Sequence, residues 1–154
     1  MDAVIVRPSH TYGPHFTGSD NRVFCQFIRN VLRGEDIVMK SDGSQMRSWC
    51  YVADCALAML YVLLNGERGN AYNIADTSSV FSIREMAEML AHQAGRKVVF
   101  AIPEDAEKKV FTKISYAVFA TDKLEALGWK PLAGDWQQKL QTTIREEMDK
   151  TDLG

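Results

Sequence analysis

The sequence is poor in whatever would divide, anchor or staple a chain. It has four prolines and no internal repeat, low-complexity tract or linker-like stretch, so its 154 residues are read as one structural unit. No apolar run approaches the length of a membrane span, and the opening Met1 to Val6 has too short an apolar stretch and no basic flank for a secretory leader. The three cysteines, Cys25, Cys50 and Cys55, form no CxxC. An odd count without a leader points to reduced thiols in the cytoplasm, serving as small buried hydrophobes. Charge of either sign is not in excess: 18 basic against 20 acidic residues leave a net −2. That excludes a general pull toward nucleic acid or an anionic membrane surface, while leaving room for a local basic pocket. His15 and His92 have no ligand spacing, so no metal is expected.

What is present is enough apolar material, 46% of residues, to bury the core of one globular domain. Ala3-Val4-Ile5-Val6 is a continuous β-branched run, the pattern of a strand buried on both faces of a parallel sheet. From Arg22 to Arg33 apolar residues recur at helical spacing, and Gly34 supplies a stop. Asp36 to Tyr51 is expected to be extended, broken by a turn at Ser41-Asp42-Gly43-Ser44. Asp54 stands where an N-cap belongs, ahead of Ala56 to Leu64, which is apolar almost all round and reads as a buried helix. Ala71 to Ala75 and Val98 to Ile102 read as further strands. Ser82-Ile83-Arg84-Glu85 has the form of a capping box opening a helix that Gly95 ends. Two more helices are expected, around Thr121 to Leu127 and from Trp136 to Met148. Alternating strands and helices give the α/β class. A parallel strand so near the start, without flanking βα units, reads as the tail of a longer fold.

Several segments in order resemble one known family. Arg7-Pro8-Ser9-His10-Thr11-Tyr12-Gly13-Pro14 is similar to R-x-x-N-x-Y-G-P, and Gly43-Ser44-Gln45-Met46-Arg47-Ser48-Trp49-Cys50-Tyr51-Val52-Ala53-Asp54 to G-x-Q-x-R-D-W/F-x-Y-V-x-D. Tyr72-Asn73-Ile74-Ala75, Ser82-Ile83 and Leu127-Gly128-Trp129-Lys130-Pro131 resemble Y-N-I-G, S-I and L-G-W-x-P. Together they resemble the NAD-dependent epimerase/dehydratase family, the nucleotide-sugar branch of the extended short-chain dehydrogenases/reductases. The resemblance implies the C-terminal portion of an NAD(P)-binding Rossmann-like α/β fold: its last sheet strands plus the small substrate-binding subdomain. Trp49 leans toward dTDP-glucose 4,6-dehydratases, and Asn21-Arg22-Val23 toward UDP-glucuronate decarboxylases.

The resemblance also implies site residues. Arg47 is expected to grip the diphosphate of a UDP- or dTDP-sugar, because a guanidinium fork suits a partly dehydrated phosphate. The bland alternative is a surface arginine paired to a carboxylate. His10 stands where relatives place a phosphate-binding asparagine, and either side chain donates a hydrogen bond; a histidine satisfying a backbone carbonyl is the alternative. Asn21 and Arg22 precede a helix, whose N-terminus favours an anion, although exposed loop residues read almost as well. Pro8 and Ser9 would place backbone beside the nicotinamide of NAD. Tyr12, Trp49, Tyr51 and Trp129 read as core or wall, and Asp54 as a cap rather than a catalytic acid. Two departures stand out: Ser48 replaces the aspartate expected after the arginine, and residues 104–120 lack a second phosphate-gripping arginine, with Lys108, Lys109 and Lys113 nearby but out of place.

Hydride chemistry in this family also needs a glycine-rich loop that lets backbone approach a pyrophosphate, and a Tyr-x-x-x-Lys pair. Neither is in the chain. The residues four beyond Tyr12, Tyr51, Tyr61, Tyr72 and Tyr116 are Phe16, Cys55, Asn65, Asp76 and Ala120. The expectation is a truncated C-terminal, sugar-nucleotide-binding segment, catalytically silent alone, whose cofactor part lies upstream. The rival readings are a non-catalytic nucleotide-sugar-binding module, whose sheet edges a homo-oligomer would cover, and an inert structural fragment.

Overall fold

A computed structural model describes residues 3–102, 114–132 and 134–152, and shows an α/β architecture of short, mostly parallel strands covered by helices. Strand β1 (Ile5–Pro8) pairs parallel with β5 (Ala71–Ile74), with Ile5 opposite Ala71 and Pro8 opposite Ile74. Strand β2 (His10–Tyr12) runs parallel to β4 (Met46–Tyr51), which pairs antiparallel with β6 (Val80–Ser82) and parallel with β8 (Tyr116–Ala117). Strand β3 (Ile37–Met39) pairs parallel with β7 (Val98–Phe100). Helices α1 (Val23–Leu32), α2 (Val52–Asn65), α3 (Ile83–Gln93), α4 (Asp122–Ala126) and α5 (Trp136–Asp152) complete the order. Lys108, Lys109, Lys113 and residues 104–113 generally lie outside the described residues.

Local chemistry accounts for several boundaries. The capping box forms as the sequence predicts: Ser82 Oγ accepts from Glu85 N at 3.1 Å, and the Glu85 carboxylate accepts from Ser82 N at 2.6 Å. Gly13 has φ +146°, and a Cβ there would lie 2.4 Å from Val52 Cγ1, so the glycine of the Tyr12-Gly13-Pro14 run is required by the close approach of α2. Gly43, at φ +68°, turns the chain under Arg84 N, 2.9 Å from where its Cβ would be.

Three expectations are corrected. Asp54 is no cap: α2 begins two residues earlier, with Tyr51 at its N-cap, and Asp54 is fully buried in the first turn. There it accepts from Leu132 N at 2.7 Å and pairs with Lys139 Nζ at 2.7 Å. The apolar helix that follows is not buried either. Only Cys55, Ala58 and Val62 accompany Asp54 into the core, while Leu60, Leu63 and Leu64 are 52, 68 and 79% exposed. Nor is β1 buried on both faces, since Ile5 is 53% exposed. For α2 and β1, composition reported that apolar cover was needed, and the described residues do not supply it.

Two cores result. The larger gathers Tyr12, Phe24, Ile28, Trp49, Met86 and Leu140 from β2, β4, α1, α3 and α5. The smaller joins Cys50, Cys55, Ala58, Tyr72, Ile74 and Leu124 between β1, β5, α2 and α4. The chain passes from the smaller to the larger at Ser9, between β1 and β2.

Candidate functional site

Because β1 ends at Pro8 and β2 starts at His10, the backbone changes neighbours within three residues: Ser9 N donates to Ile74 O at 2.8 Å, and His10 then lies opposite Trp49. That switch opens a cleft of about 340 Å³ whose walls include Pro8, Ser9, His10, Arg22, Trp49 and Phe119. The ends of parallel strands at a point of divergence are where α/β folds hold ligands. Trp49 is the fixed wall. It is 1% exposed, donates from Nε1 to Phe81 O at 3.0 Å, and stacks on the Phe81 ring at 5.6 Å. The His10 ring lies 5.5 Å from it.

Two arginines bear on His10 in the cleft. Partial burial, then the charges of Arg47 and Arg22, hold the His10 imidazole below its ordinary 6.5, so it is neutral near pH 7. Arg22 donates from Nη1 to Thr11 O at 3.0 Å and forks onto Asp20, with Nη2 to Oδ2 at 2.6 Å. These bonds hold the Asp20 carboxyl well below the carboxylate range. Ser9 Oγ is buried at the cleft and has no hydrogen-bond partner among the described residues, which leaves a polar group available to a ligand.

Of the residues singled out from the sequence, Pro8, Ser9, His10 and Arg22 therefore come together on one cleft. Arg47 and Asn21 are not among its lining residues. Arg47 is 5% exposed, with Nη1 on Met46 O at 2.7 Å and Nη2 on Ile114 O at 2.9 Å. Among the described residues no carboxylate pairs with it. Its charge is nevertheless felt at His10. Asn21 is exposed at the start of α1, where its carbonyl accepts from Gln26 Nε2. Ser48, the departure from the expected aspartate, accepts from Phe119 N at 2.9 Å and so seats the Phe119 wall.

Sequence reasoning missed Phe119 and Lys139. Phe119 reaches the cleft only through the pairing of β8 with β4, which no local pattern announces. Lys139 is 8% exposed in its side chain and lies 2.7 Å from Asp54 and 3.9 Å from Asp76. Asp76 in turn accepts from Ser78 N and from the Ser78 and Ser79 hydroxyls. Ser79 O accepts from Trp49 N, and Trp49 O from Asp76 N, so this buried charge network braces the Trp49 wall. The apolar face of α5 was legible, but a lysine within it reads as solvated unless its partners are seen.

The model of the NAD dependent epimerase/dehydratase family matches residues 1–75. The chain belongs to that family. UDP-glucuronic acid decarboxylase 6 of Arabidopsis thaliana is 33% identical over 131 residues, covering 82% of this chain and 36% of the relative. Mouse dTDP-D-glucose 4,6-dehydratase is 27% identical over 144 residues, covering 92% and 39%. Among solved structures, UDP-glucose 4-epimerase of Thermotoga maritima with UDP-glucose superposes with a TM-score of 0.79 at 22% identity, over 100% of this chain and 48% of that one. dTDP-glucose 4,6-dehydratase of Bacillus anthracis in complex with NAD gives 0.80 at 21%, over 97% and 45%. The fold is thus that of the extended short-chain dehydrogenases/reductases, and this epimerase/dehydratase chain spans less than half the length of these relatives.

Proposed function

We propose that this chain is the C-terminal, nucleotide-sugar-holding part of an NAD-dependent epimerase or dehydratase, and that its own cleft receives the diphosphate and sugar of a UDP- or dTDP-sugar. The observation that carries the reading is the convergence of Ser9, His10 and Arg22 beside the rigid Trp49 wall, with a buried serine hydroxyl left unpaired. Arg22 would supply the forked donor for a phosphate oxygen, exchanging Asp20 for the ligand, and neutral His10 one further hydrogen bond. Arg47 and Asn21 take supporting places, Arg47 by adding positive potential from behind the cleft. NAD, when bound in the complete enzyme, supplies the hydride acceptor for transient oxidation at the sugar C4. The residues of this chain fit only its nicotinamide end, where Pro8 and Ser9 offer backbone and a free hydroxyl; no glycine-rich turn is present for its pyrophosphate. Exposure of Ile5 on β1 and of Leu60, Leu63 and Leu64 on α2 supports a further α/β segment that completes the sheet and covers the helix.

Isothermal titration with UDP, dTDP and their sugars tests the reading. Saturable binding that weakens roughly tenfold in Arg22→Ala, about 1.4 kcal/mol, is expected. An inert fragment is the second reading, favoured by the bonds that already occupy Arg22 and Arg47. It predicts no heat with millimolar ligand, which would overturn the proposal.

A further inference from the structure

His10 lines the cleft with nothing to hold. Among the described residues it makes no hydrogen bond and no ion pair, so it is not a histidine spent on a backbone carbonyl. It stands exposed at the start of β2, opposite Trp49 in the β2–β4 register, with its ring 5.5 Å from the indole. Arg47 is two residues before Trp49 on β4, so the face of that strand which meets His10 carries a guanidinium and then the indole. Arg22 reaches the same cleft from the position just ahead of α1. The charged groups bearing on the imidazole are therefore two cations. The nearby carboxylates are spoken for: Asp20 is forked by Arg22, and Asp54 and Asp76 face Lys139. Partial burial, then Arg47 and Arg22, oppose an imidazolium while no anion is bound.

We propose that His10 is a proton-linked recognition residue: a sugar diphosphate entering the cleft beside Arg22 draws one proton from solvent onto the imidazole, which then donates to a phosphate oxygen. The inference rests on the nucleotide-sugar reading of the cleft and adds the protonation state that the bound complex selects. A sugar diphosphate carries one negative charge on each phosphorus and titrates neither near neutrality, unlike a phosphate monoester, whose second ionisation lies at about pH 6. The proton taken up on binding must therefore settle on the protein, and no covalent bond changes. Two negative charges reverse the field that the two guanidiniums impose on the ring. Other groups nearby keep their charge. Asp20, if Arg22 exchanges it for phosphate, returns only toward the ordinary carboxylate value of about 3.9 and stays ionised. Cys25, raised to about 11 by burial and then Asp20, and Tyr12, raised by burial, keep their protons. Among the described residues, His10 is thus the one group lining the cleft whose charge changes between about pH 5 and 8. An asparagine at this position would hydrogen-bond a phosphate but could not take the proton. Affinity is expected to rise as pH falls from the bound-state to the free-state pKa of His10, by up to about tenfold per pH unit, and to be flat above that window.

The test titrates the full chain with UDP-glucose and dTDP-glucose from about pH 5.5 to 8.5, in pairs of buffers that differ in ionisation enthalpy, which counts the protons taken up per ligand bound. The expected result is an uptake that peaks between about 0.3 and 1 proton and vanishes at the alkaline end, with affinity rising toward acid. Histidine NMR on the unmutated chain locates the proton. At constant pH the His10 resonance is expected to move toward its protonated position on adding ligand, while those of His15 and His92, which do not line the cleft, stay where they are. In His10→Asn the proton uptake and the pH dependence of affinity are expected to disappear together. Saturable binding with no proton uptake and an unmoved His10, or uptake that persists in His10→Asn, would overturn this inference and leave the nucleotide-sugar reading standing. No heat at any pH with millimolar ligand would overturn both.

Discussion

The two cores differ in how completely they are closed. Around Trp49 the larger core is covered by several elements: Phe81 stacks on the indole, Tyr12 meets it edge-on at 6.5 Å, and α1, α3 and α5 pack into the same cluster. The smaller core is covered on one side by Leu124 and Trp129, and its helix α2 turns three leucines to solvent. What separates them is whether the described chain provides a second layer, and the cleft lies at the seam between the closed region and the open one.

That contrast can be broken most severely at its buried charges. Lys139→Ala leaves Asp54 fully buried without its cation, and is expected to destabilise the chain by about 3–5 kcal/mol in thermal or urea unfolding. The paired change Asp54→Asn with Lys139→Met should recover much of that loss, because the penalty comes from the orphaned charge. A recovery of nothing would mean that the network acts through geometry instead. Next, Trp49→Ala in the closed core is expected to cost about 3–5 kcal/mol, whereas Leu64→Gln on the open face should change stability by no more than about 0.5 kcal/mol. Equal effects at the two positions would erase the distinction between the regions.

The smallest expected effect is at His10. Its folded pKa lies below the unfolded 6.5, so the unfolded state binds more protons in the window just under 6.5. Its contribution to stability is complete above 6.5 and is lost as pH falls through the folded value. His10→Asn should flatten that part of the stability curve relative to wild type, and NMR titration should place the imidazole below 6.5. An imidazole titrating at or above 6.5 would refute the burial and positive surroundings assigned to His10.

Element types were largely legible because they depend on local chemistry. Periodicity marked α1, the Ser82–Glu85 box placed the start of α3 to the residue, and a β-branched run marked β1. Four cleft residues, Pro8, Ser9, His10 and Arg22, were also readable, because they fall within or just after one short motif-bearing loop. Two placements depended on partners distant in sequence. Asp54 resembled a cap because acidic residues favour helix starts, yet its carboxylate answers Lys139, 85 positions away. Arg47 was read as facing the cleft, but the carbonyl of Ile114 holds one side of its guanidinium.

By itself, then, the sequence determined the α/β alternation, the family resemblance and the absence of a glycine-rich loop and a Tyr-x-x-x-Lys pair, because each is written in adjacent or regularly spaced residues. Tertiary structure alone decided that the apolar α2 lies open, that Asp54 is half of a buried ion pair and that Phe119 walls the cleft. Burial and pairing are properties of what the chain folds against, and the identity of that neighbour is not encoded at the position that needs it.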